Sequence, residues 1–117
     1  MMGLADDGGL LVPDEFPQVK NKFHEWRALS FSELSLEIML LFTSGRIPRE
    51  EFAPLLQRSY TNFRHPKITP VKSVGKIHIL ELFHGPTFAF KDVALQFLGN
   101  LFECFLTKRD HQHYPSL

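Results

Sequence analysis

The sequence predicts a helix-rich α+β fold. Apolar residues recur with helical spacing in two segments, 31–44 and 48–63. Two short segments rich in β-branched residues follow, 71–74 and 77–82, and a longer apolar helix is expected over 88–108. With 117 residues, the chain has room for a single core.

The first helix has clear start and stop signals. Ser30 can accept a hydrogen bond from the amide three residues on, while the Glu33 carboxylate reaches back to the Ser30 amide, which is the pairing of a capping box. Gly45 is suited to the left-handed conformation that ends many helices. These signals predict a helix over 31–44.

The second helix contains a proline. Pro48 suits a helix start, and an apolar stripe runs from Phe52 to Phe63. Pro54 lies inside this stripe, and an interior proline removes one backbone hydrogen bond at a cost of about 3 kcal/mol or more. We therefore expect the helix to kink or restart near Ala53.

A polar break at Arg64–Lys67 separates the helices from a predicted hairpin. Pro66 and Pro70 exclude a helix there, so a domain boundary is placed after residue 66. The two β-branched segments then flank Gly75-Lys76, a spacing that suits an antiparallel pair.

The last predicted helix is apolar on several faces. A helix of this kind is normally covered by other elements, yet the residues after Lys108 are polar and can cover little of it. We therefore expect more chain, a partner or self-association through residues 92–106 to bury the helix. Residues 109–117 are expected to form a polar tail.

Composition excludes several function classes. Thirteen basic residues balance thirteen acidic ones, which disfavours binding to nucleic acid or to an anionic membrane. No apolar run reaches the length of a membrane span, and the amino terminus has neither a secretory nor a transit pattern. Together with a single cysteine, Cys104, which is expected to be a buried, inert thiol, these features favour the cytoplasm.

No metal site is predicted. His111 and His113 have a two-residue spacing but no carboxylate or thiol partner in a fixed element, so a solvated tail is expected. His84 could contact a substrate, but a histidine at the end of a strand is more often a structural hydrogen-bonding group.

Lys91 is the principal candidate for chemistry. It follows a Gly-Pro turn and falls in or near the first turn of the last helix, where the positive end of the helix dipole disfavours an ammonium. Burial among Phe88, Phe90 and Val93 would favour the neutral amine further. A neutral amine can form a Schiff base with an aldehyde such as pyridoxal phosphate (PLP), whereas the alternative is a surface lysine paired with an acid.

The segment LELFHGPTFAFKDVALQ, residues 80–96, closely resembles the lysine-bearing segment of the threonine synthase family. Residues 3–10, 26–34, 47–48 and 58–60 also resemble the amino-terminal region of that family, especially its fungal-type members. This resemblance implies that Lys91 holds PLP and moves protons in a carbon–oxygen lyase of the type II fold. The implied reaction converts O-phosphohomoserine and water into threonine and phosphate.

The resemblance also implies a division of the chain. Residues 1–66 would be the family's amino-terminal helical domain and residues 67–108 the start of its PLP-binding domain. The Ser/Gly loop that cradles the cofactor phosphate in that family is absent from this sequence. We therefore expect the chain alone to be inactive, and a non-catalytic interaction module derived from the helical domain is the alternative.

Overall fold

A computed structural model describes residues 5–43 and 45–113, with side chains up to Lys108. After a short 3-10 turn, Lys20–Lys22, the elements are α1 (Phe23–Trp26), α2 (Phe31–Thr43), α3 (Arg49–Tyr60), β1 (Val71–Val74), β2 (Ile77–Leu80) and α4 (Asp92–His113). The predicted helix-rich α+β class is confirmed.

The capping box of α2 forms as predicted. The Ser30 amide donates to the Glu33 carboxylate at 2.7 Å, and the Glu33 amide donates to the Ser30 hydroxyl at 3.4 Å. These bonds lower the pKa of Glu33. After the helix, Gly45 has φ +72°, the left-handed conformation expected at a helix end; Ser44, which the prediction placed in the helix, lies outside the described residues.

Of the kink or restart expected near Ala53, the restart is wrong. One helix runs from Arg49 to Tyr60 with Pro54 inside it. Because Pro54 lies in the second turn, it removes only a bond near the helix start, and the buried side chains of this helix offset that loss. The buried residues are Phe52, Leu55, Leu56, Ser59 and Tyr60.

The core lies between α2, α3 and α4. Its buried residues come mainly from α3, and α4 contributes Phe97, Leu101 and Cys104 at its edge. The Phe52 and Phe97 rings are 5.6 Å apart, which joins α3 directly to α4. Cys104 is half-buried, less than predicted, because it packs at the edge of this core.

The predicted hairpin is confirmed, with its second strand ending two residues earlier than expected, at Leu80. Val71 pairs with Leu80 and Val74 with Ile77 in antiparallel register. Gly75 has φ +61°, as the first central residue of a type II′ turn requires. Every residue of both strands is exposed.

The last helix differs from its prediction at both ends. It begins at Asp92 rather than Phe88, because Phe88 has φ +62°, a value that a right-handed helix excludes. Its backbone continues to His113, five residues beyond Lys108 and into the predicted tail, where neither glycine nor proline interrupts it. Across residues 5–43 and 45–113, no helix is long and apolar enough to cross a membrane.

Candidate functional site

Lys91 lies at the amino-terminal end of α4. Its carbonyl oxygen accepts hydrogen bonds from the amides of Ala94, at 3.1 Å, and Leu95, at 2.8 Å, so the first turn of the helix closes on Lys91. The predicted location is therefore confirmed. The expected burial is wrong: Lys91, Phe88 and Phe90 are all exposed, because the side chains of α4 that pack on the core begin at Phe97.

The alternative was a surface lysine paired with an acid, and no such pair is found among the described side chains. The ion pairs of the described side chains are Arg49–Glu37, Arg58–Glu103, His84–Glu81 and Lys108–Glu51, and none includes Lys91. The Lys91 amine is thus exposed and free of a carboxylate partner within this part of the chain.

Residues 84–91, here called the lysine loop, connect the hairpin to α4. The Phe88 amide donates to the Gly85 carbonyl at 3.2 Å and thereby closes a turn within the loop. Phe88 occupies the left-handed region at φ +62°, which is uncommon for a residue with a bulky side chain. Such strained residues persist only where the surrounding structure holds them.

Asp92 holds one side of the loop. Its carboxylate, 3% exposed, accepts from the Thr87 amide at 2.8 Å and from the Thr87 hydroxyl at 2.8 Å. Burial raises the pKa of Asp92, but hydrogen bonds from Thr87, Gln96 and the Ala89 amide together lower it below its ordinary value. Gly85 packs so closely on Asp92 that an added Cβ would lie 2.7 Å from the carboxyl carbon.

Arg64 holds the other side. Its amide donates to the His84 carbonyl at 2.8 Å, and its guanidinium donates to the Gly85 carbonyl at 2.6 Å. The guanidinium carbon also lies 4.0 Å from the centre of the Phe88 ring. These contacts connect the end of the helical segment to the lysine loop.

His84 makes the kind of hydrogen bond expected of a structural group. Its Nε2 lies 2.7 Å from a Glu81 carboxylate oxygen, and its ring is 4.9 Å from the ring of His65. The side chains of His111 and His113, by contrast, lie outside the described residues.

Sequence patterns identified Lys91 but gave no role to Arg64, Thr87 or Asp92. Arg64 lies 21 residues before Gly85 in the chain, so no local spacing relates them. Thr87 and Asp92 are five positions apart, and the acid in the first turn of the predicted helix was the local signal available for this pair.

The arrangement presents a primary amine on a fixed backbone at a helix start. Two exposed aromatic residues, Phe88 and Phe90, precede it by three positions and one position. A primary amine can attack an aldehyde, and planar apolar rings suit an aromatic ligand. The Lys91 amine therefore suits the aldehyde end of such a ligand.

Comparison with known proteins identifies the family. Residues 1–60 match the family model described as "Threonine synthase N terminus". Threonine synthase of Schizosaccharomyces pombe is 53% identical over 113 residues, which cover 94% of this chain and 22% of the relative.

Two solved structures share the fold. A PLP-bound threonine synthase from Brucella melitensis superposes with a TM-score of 0.86 at 40% identity, over 92% of this chain and 24% of that one. Yeast threonine synthase gives 0.84 at 49% identity, over 97% of this chain and 24% of that one. The chain thus spans about a quarter of the length of these relatives, and the resemblance expected from residues 80–96 is confirmed.

Proposed function

Because this chain belongs to the threonine synthase N-terminal family, we propose that it supplies the amino-terminal part and the cofactor lysine of a PLP-dependent threonine synthase. The proposed reaction converts O-phosphohomoserine and water into threonine and phosphate, as a carbon–oxygen lyase. The similarity to threonine synthases from Schizosaccharomyces pombe and yeast supports the reaction. The PLP-bound state of the Brucella melitensis relative supports the cofactor.

The observation on which this proposal rests is the position of Lys91. The lysine is exposed, lies outside every ion pair of the described side chains, and is fixed at the start of α4. It suits the aldehyde end of PLP, which when bound withdraws electrons from the substrate carbon next to it. The contribution of this chain is to hold the amine and to move protons through the Lys91 nitrogen.

The residues described here fit only one end of the cofactor. The amides of Asp92 and Val93 at the start of α4 already donate to Ala89 and Phe90, so they are not free for a phosphate. The Ser/Gly phosphate loop of the family is absent from the printed sequence. We therefore propose that the 117-residue chain alone does not form threonine.

We further propose the domain division and location expected from the sequence. Residues 1–66 form the helical domain, and residues 67–108 begin the PLP-binding domain. The match of the family model to residues 1–60 supports the first of these boundaries. The proposed location is the cytoplasm.

The exposed side of α4 favours a second candidate, a non-catalytic interaction module. Phe102 and Phe105 are 45% and 42% exposed, although large apolar side chains in a soluble helix are usually covered. In this alternative, residues 92–106 bind a partner or a second copy of the chain, and Lys91 is not needed.

A chimera distinguishes the two candidates. The matching amino-terminal quarter of the Saccharomyces cerevisiae threonine synthase, 50% identical to this chain, is replaced by the chain, and threonine formation from O-phosphohomoserine is measured. We expect activity in this chimera and its loss in a K91A version. A K76A version is the matched control, because Lys76 lies in the hairpin turn, and should keep activity.

Two results would contradict the enzyme proposal. The first is a folded chimera that binds PLP and has no activity, which would favour the interaction module. The second is a K91A chimera with unchanged activity, which would remove Lys91 from the site.

A further inference from the structure

Phe88 has a backbone conformation that its side chain does not favour. Its φ of +62° is characteristic of glycine, whereas an aromatic residue adopts it only under constraint from its surroundings. Phe88 lies three residues before Lys91, in the turn that directs the chain into α4. Whatever holds this turn also sets the direction in which the chain reaches Lys91.

Arg64 makes three separate contacts with the lysine loop. Its backbone amide donates to the His84 carbonyl at 2.8 Å, and its guanidinium donates to the Gly85 carbonyl at 2.6 Å. The face of the Phe88 ring lies 4.0 Å from the guanidinium carbon, within the range of a cation–π contact. A planar guanidinium can donate in its plane and stack on a ring at the same time, which an ammonium cannot do.

The opposite side of the loop is held by a second set of contacts. Asp92 accepts both the amide and the hydroxyl hydrogen of Thr87, and Gly85 leaves space for the Asp92 side chain. The turn at Phe88 therefore lies between two supports. Only the Arg64 support reaches the Phe88 ring itself.

We propose that Arg64 is a positioning residue, which holds Phe88 in the left-handed conformation and thereby fixes the backbone from which Lys91 extends. Arg64 acts through Phe88 and Gly85 rather than by contact with a reacting atom. This inference rests on the proposed function of Lys91, since positioning has a purpose only if Lys91 binds the cofactor.

The test uses the 117-residue chain and two measurements. Hydrogen exchange of the Thr87 amide, followed by NMR, reports the loop geometry without any cofactor. Borohydride reduction after mixing with PLP, followed by peptide mapping, reports the pyridoxyl label at Lys91 relative to Lys76. For R64M we expect Thr87 exchange about tenfold faster, as for the loss of a charge-assisted hydrogen bond, and a clear fall in the Lys91-to-Lys76 label ratio.

The matched control is R58M, because Arg58 also forms a charge-assisted bond, to Glu103 at 2.9 Å, away from the loop. We expect R58M to leave both measurements unchanged. R64K keeps the charge but not the planar stacking, so it should give intermediate values.

A rescue experiment separates positioning from general stability. Glycine adopts positive φ without the penalty of a side chain, so R64M/F88G should recover Thr87 protection, whereas R64M/F88A should not. If R64M unfolds the chain, R64K with and without F88G provides the same comparison.

Wild-type-like exchange and labelling in a folded R64M or R64K chain would overturn the role of Arg64, as would equal values for R64M/F88G and R64M/F88A. In the chimera described under Proposed function, labelling of Lys91 no better than of Lys76 would overturn the proposed function instead. In that case Thr87 exchange would still decide whether Arg64 holds the loop.

Discussion

The Tyr60 hydroxyl, near the end of α3, donates a hydrogen bond to the Val93 carbonyl at the start of α4, 2.9 Å away. The Tyr60 ring also packs edge-on against Phe31 of α2, with centroids 4.8 Å apart. The helical segment therefore contacts α4 two residues after Lys91. Burial of this ring raises the pKa of the Tyr60 hydroxyl, so it remains a donor.

Tyr60→Phe should remove this tie between α3 and α4 while keeping the buried ring. We expect the free energy of unfolding to fall by about 1 kcal/mol, the usual net value of one hydrogen bond. Urea unfolding followed by circular dichroism measures the change. The control is Thr61→Val, which removes a hydroxyl that donates to the Gln57 carbonyl at the end of α3. Equal losses in the two variants would argue against a stabilising tie to α4.

Among the residues whose side chains are described, Leu56 is the most completely buried, with 0% exposure. Leu56→Ala should lower the free energy of unfolding by about 2–5 kcal/mol, because it leaves a cavity at the centre of the three helices. Leu10→Ala, at a leucine that is 78% exposed, should change it by no more than about 0.5 kcal/mol. Similar effects in the two variants would show that the core lies elsewhere.

Asp92 should make stability depend on pH in acid. Hydrogen bonds hold its pKa below the ordinary value of 3.8, so its stabilising effect is complete above that value and is lost as the pH falls through the lower, folded pKa. Asp92→Asn cannot titrate, and we expect it to be less stable than the wild type at pH 7. The difference between the two should shrink below the ordinary value of 3.8.

Chemical unfolding at a series of pH values measures this difference. Glu33→Gln is the control, since Glu33 is another carboxyl with a lowered pKa but belongs to the cap of α2 rather than to the loop. A stability gap between wild type and Asp92→Asn that stays constant through the acid range would contradict the assignment.

The exposed apolar side of α4 predicts poor solubility of the isolated chain. Replacing Phe102 and Phe105 by glutamine should decrease light scattering at high concentration, because both side chains are partly exposed. Phe97→Gln should have the opposite effect, since Phe97 packs against the core. Unfolding of the Phe102/Phe105 variant would show that these rings are buried in solution.

Local signals predicted the elements of this fold whose causes lie within a few residues. The cap of α2 depends on Ser30 and Glu33, and the hairpin on two β-branched segments around Gly75, so both were predicted from the sequence. The lysine segment was identified by the resemblance of residues 80–96 to a known family. The structure places Lys91 at the start of α4, as predicted.

The remaining features depend on contacts between distant residues. The residues around Pro54 do not reveal that α3 stays continuous, because its continuity depends on packing against α2 and α4. The start of α4 was predicted four residues early because the conformation of Phe88 is held by Arg64, which lies 24 positions earlier in the printed sequence. Exposure of Lys91 likewise depends on where α4 meets the core, which local spacing does not specify.

The hydrogen bond from the Arg64 amide to the His84 carbonyl separates the hairpin from the site. It joins the two ends of the segment formed by residues 65–83. The segment after α3 therefore contacts the lysine loop directly, without the two strands between them. An insertion at Gly75 that doubled the length of this segment would raise the entropic cost of closing it by only about 0.6 kcal/mol. The hairpin is therefore a place where tags, reporters or inserted domains can be accepted without displacing the amine.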